Sequence, residues 1–233
     1  MKQATQTPKE RPVLFVFLIL LCPAILSGAL VLLRAEITNT AAILAIAYIC
    51  RLLSLLVGFF GLGCAFRAAN RGEALRGIAY LGVASASYGI MQLVAAVREI
   101  FCFANYPDYL ADAIIGNLGA AIGNVFFFFL PYFLVYFVLY LIYFRGRAQE
   151  TGELPFLSFR SRRAAAGMVA TIALFLYQFI PQLFNTLSAL LDEFGPTMTR
   201  TDIFYFVADY GFLILSMLVG YATLNIVQGY AEE

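Results

Sequence analysis

Six long apolar runs, separated by short polar interruptions, account for most of this chain: 12–33, 41–66, 74–97, 109–144, 164–191 and 203–227. A helix needs about 20 mostly apolar residues to cross a hydrocarbon core of ~30 Å, and every run is long enough. The pattern predicts an all-α fold, a polytopic membrane bundle of six transmembrane helices. Little chain lies outside the runs, so residues 1–233 read as a single integral membrane domain. The first run could pass for a secretory signal, with Ser27-Gly28-Ala29 as the cleavage site. It is longer than the roughly 7–15 residues of a signal's apolar core. Cys22 also follows Leu20-Leu21 instead of the small residue of a lipoprotein signal, so the run is read as a span. The fourth run exceeds what a bilayer requires, which implies tilt, a bend at Pro131 or an extension past the membrane.

Composition agrees. The chain is 62% hydrophobic and 12% charged, with a mean hydropathy of +0.85, where soluble domains carry about 25% charged residues. There is no histidine, which removes the commonest imidazole base and metal ligand together. Cys22, Cys50, Cys64 and Cys102 show no paired spacing and read as buried thiols. No phosphate-binding glycine loop, metal motif, nucleophile–base pair or nucleic-acid module is present. The expectation is a non-enzyme with no cofactor, no metal and no nucleic-acid partner.

Charge is unevenly placed. Lys2, Lys9, Arg11, Arg67, Arg71, Arg76, Arg145, Arg147, Arg160, Arg162 and Arg163 fall on one side of the spans, and only Arg34, Arg98 and Arg200 on the other. By the positive-inside rule both termini are cytoplasmic, in a plasma membrane of bacterial type. The outer rim is acidic, with Glu36, Glu99, Asp108, Asp112, Asp192, Glu193 and Asp202. The basic 145–163 loop, with Leu-Pro-Phe-Leu-Ser-Phe at its centre, reads as lying on anionic headgroups of the lipid bilayer.

Arg51 stands near the middle of the second run. A central arginine costs about 2.5–3.5 kcal/mol on insertion scales, so a partner is expected. Asp202, Asp209, Ser216 and Thr223 recur every seventh residue on one face of the sixth run, and Asp209 lies well inside it. An Arg51–Asp209 pair is the expectation. Gln178, Gln182 and Asn185 share a face of the fifth run around Pro181, which withholds an N–H from the Tyr177 carbonyl. Gln92 in the third run and Asn117 and Asn124 in the fourth complete a candidate substrate-binding or buried polar network. Most of these groups belong to the outer half, whereas the inner half is bulky around Phe126–Phe129. A cavity open outward and closed inward would give this asymmetry, and so would polar contacts between helices.

Small residues predict close helix contacts at Gly58, Gly82, Gly119, Gly123 and Gly220, or docking of another membrane protein. Tyr132, Tyr136, Tyr140 and Tyr143 form a stripe whose hydroxyls are expected to meet polar groups. Leu53–Phe60 resembles Leu215–Ala222, aligning Ser54 with Ser216 and Gly58 with Gly220, and 23–36 resembles 181–193. The first and third hairpins are therefore either a parallel repeat or alike in composition alone.

Six spans, a short chain, cytoplasmic termini and an outward polar cavity make an architecture that resembles the substrate-binding subunits of energy-coupling-factor importers. Those subunits present small residues on the cytoplasmic half of the first helix, where this chain reads Val-Leu-Phe-Val-Phe-Leu-Ile-Leu-Leu. The pattern points first to a transporter or permease subunit with an outward-facing polar solute site. The alternative is a non-transporting scaffold or accessory subunit that binds a partner membrane protein through small-residue faces. An intramembrane enzyme is the weakest reading.

Overall fold

The computed structural model describes residues 13–34, 37–144, 159–191 and 200–229. The described chain is an all-α bundle of six helices, each long and apolar enough to cross a membrane. They are α1 Val13–Arg34, α2 Thr40–Asn70, α3 Ala74–Cys102, α4 Pro107–Leu139, α5 Phe159–Leu191 and α6 Arg200–Gly229. A π-helical turn, Tyr140–Phe144, continues α4.

Most helices begin or end beyond their apolar runs, because hydrogen bonding and not hydropathy sets where they stop. Asn39 caps α2, its side chain accepting from the Ala41 and Ala42 amides at 2.9 and 3.3 Å. The same helix runs past Phe66 through Arg67 to Asn70 and turns at Gly72, whose φ of 81° suits a residue without a Cβ. α4 opens on Pro107, whose missing N–H is not needed in the first turn. α5 starts at Phe159, inside the segment expected to be loop, and residues 145–158 of that loop lie outside the described residues.

α2 is the hub and packs on α1, α3, α4 and α6, while α5 packs on α4 and α6. Its C-terminal half supplies Phe59, Leu62, Ala65 and Phe66, all fully buried. Close approach depends on two of the expected glycines. A Cβ added to Gly58 would lie 2.5 Å from the Tyr132 ring, and one added to Gly220 would strike the Phe59 ring. The remaining three do not fit that expectation. Nothing lies within 4 Å of a Cβ at Gly82, Gly119 or Gly123. The reason is azimuth. α4 turns Ala121, Phe129, Tyr132 and Tyr136 into the core, and at 100° per residue Gly119 and Gly123 fall on the opposite side. Other small residues, Gly61 against Ala84 and Gly77 against Tyr136, make the close α2–α3 and α3–α4 contacts instead.

The tyrosine stripe divides. The Tyr136 hydroxyl donates to the Ala74 carbonyl at 2.9 Å, as expected of a buried phenol. The Tyr132 hydroxyl, however, is buried without a hydrogen-bond partner among the described residues, wedged against Gly58 among Phe59, Phe128 and Phe129.

α2 and α6 run parallel in a steady register. Tyr48 meets Asp209, Arg51 meets Phe212 and Phe59 meets Gly220. The residues aligned by sequence similarity therefore stand level on adjacent helices and behave alike. Ser54 and Ser216 each donate back to the carbonyl four residues earlier, at 2.8 and 2.6 Å. Gly58 and Gly220 each admit an aromatic ring.

Candidate functional site

A cavity of about 790 Å³ lies between α1, α2, α3, α4 and α5. Four contacts fix the heights of its walls. Asn124 donates to Gln92 at 3.4 Å, and Tyr88 stacks on Phe128 with ring centres 4.4 Å apart. Tyr177 donates its hydroxyl to the Phe127 carbonyl at 3.2 Å, and Gly58 abuts Tyr132. Together these registers bring Arg51, Gln92, Asn124, Gln178 and Gln182 into one tier, with Asn185 a turn further along α5. All six line the cavity.

The end of the cavity toward Arg67, Arg71 and Arg76, taken as the inner end, is shut by Leu55, Tyr132 and Leu174, which are 2%, 1% and 1% exposed. Around the tier Asn124 and Asn185 stay exposed. Pro181 stands in the α5 wall between Gln178 and Gln182. Because a proline has no N–H, the Tyr177 carbonyl one turn earlier has no amide donor from it, which adds a backbone acceptor to that turn.

Asp209 and Asn117 are not part of this cavity. The antiparallel α3–α4 register places Asn117 nearly two turns beyond Gln92, where its side chain donates to its own helix at the Ala113 carbonyl, 2.8 Å away. The expected Arg51–Asp209 ion pair does not form. Tyr48, level with Asp209 across the α2–α6 contact, donates its hydroxyl to Asp209 Oδ1 at 2.7 Å. Arg51 stands one turn further in, its guanidinium 5.8 Å from the centre of the Phe212 ring. Tyr48 also packs on Phe212, with ring centres 4.7 Å apart. A hydroxyl level with the carboxylate wins because the guanidinium would have to climb a full turn to reach it.

Among the described residues Arg51 makes no hydrogen bond or ion pair. Its five N–H donors have only the Phe212 face and the cavity to meet. Among the described residues the cavity lining contains no carboxylate. Its walls also carry Tyr88, Phe127, Phe128 and Tyr177, aromatic residues that polarity alone does not single out in the sequence. Tyr48 is of the same kind, and its place one turn before Arg51 was the available signal.

No protein-family model, curated protein or solved structure matches this chain.

Proposed function

We propose that this chain is a transporter or permease subunit whose cavity receives a solute from the outer side of a bacterial-type plasma membrane. The observation that carries the reading is the convergence of six polar side chains from four helices on one cavity of about 790 Å³. Sites for small molecules usually occupy about 300–1,000 Å³ and hold a few convergent polar groups in an apolar wall. Amides and a guanidinium inside a membrane bundle are costly unless they serve a partner or a water-filled path. The uneven distribution of Lys and Arg supports cytoplasmic termini, and with them a cavity that faces outward. The side chains present suit binding more than catalysis, since the chain has no imidazole and the described lining has no acid.

The test is accessibility. In a cysteine-free background, Gln178→Cys and Gln182→Cys should react with a membrane-impermeant maleimide added to intact cells. Reaction only after the membrane is opened, or no reaction, would remove the outward-facing site.

A second reading has its own support. Gly116, Gly119 and Gly123 leave open space on one side of α4, a surface on which another membrane helix could approach closely. A scaffold or accessory subunit would use that face, and so would a permease subunit that docks a second component. Cross-linking from Gly119→Cys in native membranes, against the same variant after detergent extraction, distinguishes an occupied face from one covered by lipid.

A further inference from the structure

We infer that the cavity selects small organic anions, and specifically solutes with a carboxylate on a planar body. This rests on the reading of the cavity as a solute site and names the class of solute it takes.

The charge argument comes first. Among the described residues Arg51 is the one formally charged residue in the lining, and no carboxylate accompanies it. Asp209, one turn away on α6, is engaged by Tyr48 and stands outside the cavity. A guanidinium whose donors meet no protein acceptor, in a site of low dielectric, attracts an anion more strongly than it would in water. Its planar fork also matches the two oxygens of a carboxylate. A dianionic phosphate would call for more donors of positive charge than one arginine. A cationic solute would meet Arg51 with nothing in the lining to offset it.

The shape argument is independent of charge. Tyr88 and Phe128, already stacked on each other, meet the tier from the inner side, and Phe127 and Tyr177 flank it. Flat aromatic faces reward a flat partner. The side-chain amides of Gln178, Gln182 and Asn185 make no hydrogen bond within the described residues. Each offers both a donor and an acceptor, so polar substituents on the solute's ring can be met from the α5 wall.

The experiment exploits the absence of tryptophan from the chain, since any indole fluorescence then belongs to the ligand. The purified full chain in detergent is titrated with indole-3-acetate and, separately, with the uncharged indole-3-acetamide. Thermal unfolding is read in parallel with both, and with benzoate, inorganic phosphate and lysine. The expected result is saturable binding of indole-3-acetate at least tenfold tighter than of the amide. Arg51→Gln should abolish that tenfold preference, and Arg51→Lys should restore part of it. If Arg51→Gln fails to fold, Gln92→Glu serves instead. It places a carboxylate in the same tier and should weaken indole-3-acetate at least tenfold more than it weakens the amide. Equal binding of acid and amide would keep the solute site and overturn the anion class. Preference for lysine or phosphate would overturn it as well. No binding by any of these probes would also overturn it, and cysteine accessibility at Gln178 and Gln182 then decides whether the solute site falls too.

Discussion

Two glycines, Gly58 on α2 and Gly119 on α4, should respond oppositely to the same added methyl group. At Gly58 the new Cβ would sit 2.5 Å from the Tyr132 ring, against the 3.4 Å at which ordinary contact begins. The ring is held by Phe59, Phe128 and Phe129, with centres 6.0, 5.4 and 5.5 Å away. Forcing an extra carbon into such packing costs about 1–3 kcal/mol. At Gly119 nothing lies within 4 Å. Replacing a helical glycine by alanine also gains up to about 1 kcal/mol in propensity, and both sites share that gain. The difference between Gly58→Ala and Gly119→Ala therefore isolates the clash.

Thermal unfolding of the two variants in detergent measures it. At about 2–4 °C per kcal/mol for a chain of this size, Gly58→Ala should melt several degrees below Gly119→Ala, and the latter at or above the parent. Gly119→Leu should likewise be tolerated in detergent. The clash has one direction in which it can relax, because Tyr132 forms the inner end of the cavity. Gly58→Ala should thus also shrink the cavity and weaken any solute that reaches its floor. Equal melting of the two alanine variants would refute the reasoning, and so would a Gly119→Ala less stable than Gly58→Ala.

Three further outcomes follow from particular contacts. In a double-mutant cycle on unfolding in detergent, Tyr48→Phe and Asp209→Asn should be coupled by about 0.5–3 kcal/mol, more than Arg51→Gln and Asp209→Asn; the reverse order would restore the ion pair. Tyr136→Phe deletes the hydroxyl that donates to the Ala74 carbonyl and should lower stability by about 0.5–1.5 kcal/mol, whereas Tyr132→Phe, which loses an unpartnered hydroxyl, should cost less or stabilise; equal losses would remove the distinction. Cys102 is exposed where α3 turns toward α4, so a Cys102-only variant should label with impermeant maleimide in intact cells while Leu75→Cys at the opposite end stays protected, and the converse would invert the proposed topology.

The six spans could be read from hydropathy because a bilayer imposes a length and a composition on anything that crosses it. Much of the cavity lining could be read for a related reason. An amide inside a span has few roles open to it, and Gln92, Asn124, Gln178, Gln182 and Asn185 all face the same space. Azimuth and register were harder, because they depend on the opposing helix. Gly58 and Gly119 look alike in sequence and differ only in what stands across from them, a tyrosine in one case and open space in the other. Asp209 was paired with the nearest opposite charge, yet the level register of α2 and α6 puts a neutral hydroxyl closer. Asn117 lies on the expected side of Gln92 but outside the cavity, because α4 extends beyond the end of α3.

The misassigned pair changes the chemistry of the site. A buried Arg51–Asp209 ion pair would have been a closed unit, neutral overall and with little left for a solute. With Asp209 held by Tyr48, the arginine keeps its donors for the cavity, one tier above the floor that Tyr132 makes. Both features hang on α2: Arg51 supplies the charge, and two turns further in Gly58 leaves the room that lets Tyr132 close the inner end. If a solute passes through this chain, Tyr132 has to leave Gly58. Its unpartnered hydroxyl lowers the cost of that departure, since no hydrogen bond is broken. Tyr132→Phe should therefore leave solute affinity nearly unchanged, whereas Gly58→Ala, which pushes the same ring into the cavity, should reduce it. A loss of binding in Tyr132→Phe as large as that in Gly58→Ala would mean that the hydroxyl itself touches the solute and that the floor lies deeper than Leu55 and Leu174 now place it.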